Sequence, residues 1–167
     1  MRERAFAVLG DRITDSRFLD LFAGTGSVGL EALSRGARSV VFVERHQSAA
    51  QLIEKNSAAF ELGSDRVELL VRPAVVAVEQ LTARGESFDI AWADPPFEIW
   101  SEGLEVVVKL FEGGLLNAGA LACLECPTKA DVATSLPPAL EIIRDLDGSA
   151  SRVVMIEAID PENPSSP

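Results

Sequence analysis

The stretch Leu19–Gly29, LDLFAGTGSVG, decides the fold of this 167-residue chain. A β-type run ends at Phe22, and a loop follows that carries three glycines, Gly24, Gly26 and Gly29. Glycines allow a tight turn and let a ligand approach the main chain closely. A helical pattern begins directly after the loop, and its first turn offers free backbone N–H groups. The stretch therefore predicts a strand, a ligand-binding loop and a helix in succession.

The chemistry of this loop depends on Asp20, which lies inside the strand two residues before its end. The spacing Gly-x-Gly-x-x-Gly is typical of dinucleotide sites, where the loop holds a pyrophosphate. A carboxylate at Asp20 favours a cationic ligand over a pyrophosphate. A plain turn with glycines for packing is the alternative interpretation.

Outside this loop, short β-rich runs alternate with amphipathic stretches, which predicts an α/β domain with a mostly parallel sheet. The interval between the last two strands is too short for a helical crossover, so they are expected to pair antiparallel. The expected fold is a Rossmann-like sheet of seven strands, with the last antiparallel and helices on both faces. The first ten residues predict a helix with Phe6, Val8 and Leu9 directed inward. Strands are predicted at 17–22, 39–44, 66–72, 88–93, 118–125, 140–146 and 151–159, and helices at 26–35, 47–62, 74–84, 100–112 and near 128–134.

The composition excludes several classes of protein. Hydrophobic residues make up 47% of the chain, which excludes disorder over most of its length. No apolar run approaches the roughly 18 residues of a membrane span, and two cysteines are too few for a disulfide scaffold. The net charge of −11 argues against binding nucleic acid by bulk charge alone. The arginines at the start of the chain and after the first helix are interpreted as scattered surface residues: Arg2, Arg4, Arg35 and Arg38.

Glu44 ends the second predicted strand, 18 residues after Gly26. A carboxylate at this spacing binds the hydroxyls of a ribose. NAD and S-adenosylmethionine both carry such a ribose, so Glu44 leaves the two cofactors open. A surface acid at a strand end is the remaining alternative.

A second chemical signal is the tetrapeptide Asp94–Phe97, DPPF, which follows an apolar strand. Two prolines fix the backbone and remove two N–H donors, so the loop presents only acceptors. Such a site suits a planar –NH2 group, with N–H bonds to the Asp94 carboxylate and the Pro95 carbonyl. Phe97 can stack on the ring that bears the amine. The tetrapeptide therefore indicates methylation of an exocyclic amine on a nucleobase.

With these motifs the sequence resembles the class I S-adenosylmethionine-dependent methyltransferases, and in particular the bacterial 16S rRNA (guanine(966)-N(2))-methyltransferase family, the RsmD type. The resemblance runs from Arg2 to about Ile159 and is strongest in RERAFAVLG, LDLFAGTGSVGLEALSRGA, VVFVE and FDIAWADPPF. It implies that S-adenosylmethionine is the cofactor, that S-adenosylhomocysteine is the product and that no metal takes part. The implied reaction is methyl transfer to the exocyclic N2 amine of a guanine in 16S rRNA of the small ribosomal subunit.

The resemblance also implies roles for individual residues. The target amine is assigned to Asp94, Pro95, Pro96 and Phe97. The cofactor is assigned to seven residues: Asp20, Ala23, Gly24 and Gly26 at its methionine end, Glu44 at the ribose, Ala74 at the adenine, and Asp94. Relatives often carry a polar side chain where Pro73 stands, so adenine is expected to rely on the Ala74 N–H and on apolar contacts.

The implied methyltransferase domain covers residues 1–160, and the low-complexity residues 161–167 are expected to form a flexible tail. Family members carry a basic N-terminal segment with a β-hairpin before the RERAF-like helix. The sequence starts inside that helix, so the hairpin is expected to be absent. The implied partner is 16S rRNA or the assembling small subunit, and a cytoplasmic monomer without membrane association is expected.

Four alternatives stay open. A DNA adenine-N6 or cytosine-N4 amino-methyltransferase uses the same tetrapeptide but normally needs a separate target-reading region. A protein-glutamine methyltransferase prefers Asn in place of Asp94. A cofactor-binding domain that is inactive without its N-terminal segment is the alternative that is not an enzyme. A nicotinamide dehydrogenase leaves the DPPF tetrapeptide unexplained.

Overall fold

A computed structural model describes residues 1–60, 63 and 65–160 of the chain. These residues form one mixed sheet with helices on both of its faces. The strands are β1 (Arg17–Leu21), β2 (Ser39–Glu44), β3 (Val67–Val71), β4 (Phe88–Ala93), β5 (Leu116–Pro127), β6 (Leu140–Asp147) and β7 (Ser151–Ala158). The helices are α1 (Arg2–Leu9), α2 (Ser27–Ser34), α3 (Gln47–Ala58), α4 (Ala74–Ala83) and α5 (Trp100–Glu112).

The strand order of this seven-stranded sheet is β3-β2-β1-β4-β5-β7-β6. All neighbours from β3 to β5 pair in parallel, whereas β7 pairs antiparallel with both β5 and β6. The predicted fold class, including the reversed last strand, is confirmed. The chain first moves outward from β1 to β3 and then crosses back to β4 beside β1. The carboxyl ends of β1 and β4 therefore meet at the point where the order reverses, which is where open α/β sheets bind ligands.

Two apolar clusters cover the central strands, one on each face of the sheet. On one face, Leu19 and Leu21 of β1 pack among buried residues of α4 and α5. On the other face, Phe18 and Trp92 pack among buried residues of α1, α2 and α3. Because β1, β2 and β4 are covered on both sides, they read as nearly continuous apolar runs. The sheet is thus a rigid platform for the loops at its edge.

The prediction of α1 was right in its extent and wrong in one of its inward residues. Ala5, Phe6 and Leu9 are buried, but Val8 is 43% exposed. A 3.6-residue period places the first three on one stripe of the helix and turns Val8 away from it. The Phe6 ring stacks on Trp92 with 5.9 Å between ring centroids, which holds α1 against β4.

The prediction of a short helix near 128–134 is also wrong. The chain forms turns there and only a 3₁₀ segment at Ala133–Ser135. The Asp131 carboxylate accepts hydrogen bonds from the Thr134 N–H at 3.3 Å and from its hydroxyl at 2.7 Å. These bonds cap the single 3₁₀ turn, and the chain becomes extended at Leu136 directly before Pro137, which stops a longer helix. The predicted end of the third helix at residue 62 and the predicted tail 161–167 lie outside the described residues.

None of the described helices is both long enough and apolar enough to cross a membrane.

Candidate active site

A cavity of about 950 Å³ opens at the carboxyl ends of β1 to β4. We call this cavity the cleft. Its wall brings together residues that are 84 positions apart in the sequence, from Phe22 to Val106. Eight of the ten site residues predicted from the sequence line the cleft: Ala23, Gly24, Glu44, Ala74, Asp94, Pro95, Pro96 and Phe97. The remaining two, Asp20 and Gly26, do not belong to its lining.

The glycine loop is held in place by its own backbone and by β2. The Ala23 N–H donates to the Val43 carbonyl at 2.9 Å, and the Gly26 N–H donates to the Ala23 carbonyl at 2.8 Å. Gly26 has φ +80°, and a Cβ there would lie 3.1 Å from the Ile53 side chain. Glycine thus permits both the left-handed conformation and the close approach of α3. The loop faces the cleft through Ala23 and Gly24.

Asp20 lies behind the loop and is almost completely buried. Its Oδ2 accepts a hydrogen bond from the Gly29 N–H at 2.8 Å, so it caps the first turn of α2. Burial raises the pKa of Asp20 to about 7; the Gly29 hydrogen bond and Arg2 oppose this rise, while Asp94 and Glu44 add to it. Because the raised pKa lies near neutrality, a cation bound in the cleft would favour the ionised carboxylate.

We expect Asp20→Asn to stabilise the unliganded protein at pH 8. The amide oxygen of asparagine still accepts the hydrogen bond from the Gly29 N–H, and the substitution removes the buried charge. The raised pKa means that the folded state binds more protons than the unfolded state between about pH 4 and 7. The unfolding free energy of the wild-type protein therefore falls as the pH rises through that window, because Asp20 has to ionise while buried. A pKa of about 7 against an ordinary 3.8 sets an upper limit of roughly 4 kcal/mol at pH 8.

Urea unfolding at pH 5 and pH 8 checks this expectation. The free energy gained by Asp20→Asn should be larger at pH 8 than at pH 5. Asp11→Asn is the matched control, because Asp11 is an exposed acid outside the cleft. Equal effects of Asp20→Asn at the two pH values would contradict the raised pKa.

Glu44 lies at the end of β2 and is buried to all but 6%. Its Oε2 accepts from the Gly24 N–H at 2.8 Å, and its Oε1 accepts from the His46 N–H at 2.7 Å. Each carboxylate oxygen has two acceptor positions, so each keeps capacity for a further donor in the cleft. The carboxylate thus fixes the glycine loop to β2 and can still bind a pair of hydroxyls.

The DPPF tetrapeptide continues directly from β4. The Asp94 N–H donates to the Leu21 carbonyl at 3.4 Å, and Pro95 is buried against α5. A Cβ on Gly103 of α5 would lie only 2.5 Å from the Pro95 ring, so glycine there permits the close contact. The Phe97 ring is 43% exposed at the cleft. A rigid turn therefore presents a carboxylate and an aromatic face to the same space.

Asp94 has an environment that disfavours its charge. Its partial burial raises its pKa to about 6; Glu125 adds to the rise and Arg2 opposes it. The carboxylate is thus mostly ionised at neutral pH but is a better proton acceptor than an ordinary aspartate. An acceptor-only loop with a carboxylate of this kind can orient an amine and receive its proton.

The turn from β3 to α4 completes the cleft opposite β4. Arg72, Pro73 and Ala74 line it, and an Arg72 N–H donates to the Gln80 side-chain oxygen. The Ala77 N–H donates to the Pro73 carbonyl at 3.0 Å, which starts α4 at this wall. Ala74 therefore lies at the cleft, and its contact with adenine stays a prediction.

The sequence reasoning missed part of the cleft wall. Glu98, Glu102 and Glu105 form an acidic rim, and their spacing of three and four residues is the signal that could have found it. Ser27 also lines the cleft, and the Arg2 guanidinium donates to its hydroxyl at 2.7 Å. Among the described residues, no group of three or more His, Cys, Asp or Glu side chains could hold a metal ion.

The chain is similar to several known proteins. The model of the family described as "Conserved hypothetical protein 95" matches residues 1–156. "Ribosomal RNA small subunit methyltransferase D" of Escherichia coli strain K12 is 34% identical over 139 residues, which cover 82% of this chain and 64% of that protein. The protein of the same name from Haemophilus influenzae is 32% identical over 125 residues, which cover 75% of this chain and 64% of that protein. The chain thus matches less than two thirds of the length of these relatives.

Solved structures show the same similarity. The "Putative methyltransferase yhhF from Escherichia coli" superposes with a TM-score of 0.81 and 26% sequence identity. The superposition covers 94% of this chain and 84% of that chain. The similarity therefore extends over nearly the whole sheet and its helices.

Proposed function

The chain belongs to the family described as Conserved hypothetical protein 95, the RsmD-type methyltransferases, and from this premise we propose that it methylates a guanine of 16S rRNA. The methyl group would come from S-adenosylmethionine and go to the exocyclic N2 amine of the base. One observation carries the proposal. The acceptor-only turn at Asp94–Phe97 and the Glu44-anchored glycine loop face one cleft, so an amine and a nucleoside can meet there.

The cleft residues fit S-adenosylmethionine by their donor and acceptor chemistry. Glu44 offers fixed carboxylate oxygens for the two ribose hydroxyls. Ala23 and Gly24 offer main chain at the methionine end, with Asp20 behind them as a buried negative charge. The Ala74 turn offers an apolar wall for adenine. When bound, S-adenosylmethionine supplies a methyl group on a sulfonium, which is an electrophile that needs no metal.

The chain's own residues would act mainly by positioning the target amine. The Asp94 carboxylate and the Pro95 carbonyl each accept one N–H of the amine, which directs its lone pair at the methyl carbon. As the new N–C bond forms, the S–C bond breaks and its electron pair stays on sulfur. The amine then carries a positive charge, and one N–H proton passes to Asp94 or to water. Phe97 would stack on the base and exclude water from one of its faces.

The relatives favour this substrate over the alternatives. The similar curated proteins are named as rRNA methyltransferases, so a DNA amino-methyltransferase is not favoured. A nicotinamide dehydrogenase would leave the acceptor-only turn without a role. The target base has to leave its stack to reach Asp94, which is easiest in a loop or a partly assembled RNA.

Transfer of isotope-labelled methyl groups tests the proposal. The protein is incubated with labelled S-adenosylmethionine and either naked small-subunit rRNA or the isolated small subunit. The rRNA is then digested to nucleosides. The expected product is N2-methylguanosine from at least one of the two substrates. Label in N6-methyladenosine or N4-methylcytidine, or no label in rRNA, would contradict the proposal.

A further inference from the structure

We propose that Arg2 binds an RNA phosphate next to the target nucleotide and so places the target base at Asp94. This inference rests on the proposed function and deepens it, because it assigns the RNA contact of the same site. The sequence alone gave Arg2 no role beyond that of a scattered surface residue.

The first observation is that the Arg2 side chain is held at the cleft. Its Nη1 donates to the Ser27 hydroxyl at 2.7 Å, and Ser27 is both the first residue of α2 and part of the cleft wall. A guanidinium has five N–H donors in a planar fork, so this bond leaves most of them for another partner. Arg2 is exposed, and those donors are accessible from solvent. Bidentate pairing with a phosphate is the chemistry that this geometry favours.

The second observation is that Arg2 is mechanically tied to the strand that carries Asp94. Phe6, one turn after Arg2 in α1, is fully buried and stacks on Trp92 with 5.9 Å between centroids. Trp92 belongs to β4, two residues before Asp94. The guanidinium and the carboxylate are therefore attached to one rigid unit. A phosphate held by Arg2 would have a fixed position relative to the acceptor-only turn at Asp94–Phe97.

The third observation is the distribution of charge around the cleft. The rim next to Asp94 is acidic: Glu98 lies on a 3₁₀ turn (Phe97–Ile99), and Glu102 and Glu105 lie on α5. An RNA strand that approaches Asp94 meets these carboxylates, and its phosphates are repelled unless a cation lies close by. The cationic residues of the cleft lining, Arg45 and Arg72, follow β2 and β3 on the cofactor side.

Arg2 lies outside the cleft lining, bonded to Ser27, and its charge acts on the acids of the site. It lowers the pKa of both Asp94 and Asp20 against the effect of burial. It therefore supplies positive charge where the target nucleotide has to enter. A phosphate contact carries no sequence information but fixes the register of the nucleic acid. Arg2 thus determines where the RNA lies, while the acceptor turn at Asp94 selects the amine.

Three variants of Arg2 and one matched control test this inference. Arg2→Ala removes the side chain, Arg2→Gln keeps a donor for Ser27 without the charge, and Arg2→Lys keeps the charge. Arg38→Ala is the control: Arg38 is exposed, and it precedes β2 at the opposite edge of the sheet from the cleft. Both alanine variants remove one positive charge, so bulk electrostatics affect them equally.

The measurements are kcat and KM for the rRNA substrate, rRNA binding by filter retention over a salt series, and S-adenosylmethionine affinity by calorimetry. Arg2→Ala and Arg2→Gln should raise KM and the rRNA dissociation constant about tenfold, with a smaller change in kcat. The slope of log affinity against log salt should fall by about 0.7 to 0.9, the loss of one phosphate contact. Arg2→Lys should recover part of the loss, and cofactor affinity should stay at the wild-type value.

The outcomes separate this inference from the proposed function. If wild-type protein methylates rRNA but Arg2→Ala binds and methylates like Arg38→Ala, the Arg2 contact is wrong and the function stands. If Arg2→Gln behaves like wild type while Arg2→Ala fails, the contact with Ser27 matters and the phosphate contact is wrong. If wild-type protein neither binds nor methylates rRNA, the inference falls with the proposed function. Thermal unfolding of each variant shows whether a loss of fold is the cause.

Discussion

Asp94→Asn should lose nearly all methyl transfer, with kcat reduced by about 100-fold or more, while S-adenosylmethionine still binds. The carboxylate accepts an N–H of the target amine and balances the positive charge that develops on nitrogen. The asparagine amide is neutral, and its NH2 group can point at the N–H groups of the target amine. The attraction between carboxylate and amine is then replaced by a repulsion between two donors. The substitution preserves volume, and Pro95 and α5 hold the turn in place. The loss should therefore appear in chemistry rather than in folding.

The pH dependence of the rate gives this prediction a second readout. Because the pKa of Asp94 is raised to about 6, kcat/KM of the wild type should rise as the pH increases through about 6. Asp94→Asn should lack this rise. Glu98→Gln is the matched control, since it also removes one carboxylate at the cleft but lies outside the acceptor turn. Turnover of Asp94→Asn at the wild-type rate would rule out the assigned role.

Gly29→Ala should cost about 3 kcal/mol of unfolding free energy and weaken cofactor binding. A Cβ at Gly29 would lie 2.3 Å from Phe42 Cε1 and 2.7 Å from Val40 Cγ1, both in the packed core under α2. Neither neighbour can give way without moving β2 or α2. A shift of α2 would also break the hydrogen bond from the Gly29 N–H to Asp20 and displace the glycine loop.

Denaturant unfolding and calorimetry with S-adenosylmethionine measure the two effects of Gly29→Ala. Gly85→Ala is the control, because Gly85 has φ +68° and no atom within 4 Å of the added Cβ. That variant reports the backbone strain of alanine alone, about 1 kcal/mol. Gly29 lies inside α2 and has no positive φ, so alanine there carries no such strain. A Gly29→Ala protein as stable as the wild type would show that α2 does not need this close contact.

Much of the sheet could be predicted because its central strands have clear sequence signals. The bounds of β2 and β4 and of α5 were predicted to the residue. These elements are continuous apolar runs or a strongly amphipathic stretch, which local sequence determines. β5 is longer than predicted, running from Leu116 to Pro127. Its extra residues pair with β4 and β7, and such pairing is not visible in one segment alone.

Local sequence did not show the contacts of three side chains whose partners are distant or compete with regular structure. Asp131 caps only a 3₁₀ turn through its bonds to Thr134, where a short helix was expected. The placement of Asp20 behind the loop depends on the short bond to Gly29 and on packing under α2. Arg2 meets Ser27, 25 residues along the chain, so no local pattern contains that contact. Tertiary packing placed Asp20 and Arg2, whereas the bond between Asp131 and Thr134 is local.

Calorimetric titration with S-adenosylmethionine, with NADH as the control ligand, tests most directly that the glycine loop and Glu44 form a methyl-donor site. Both ligands carry a ribose for Glu44, but only S-adenosylmethionine brings a cation towards Asp20 instead of a pyrophosphate. We expect one molecule of S-adenosylmethionine to bind per chain and NADH not to bind. Binding of NADH without binding of S-adenosylmethionine would contradict the account.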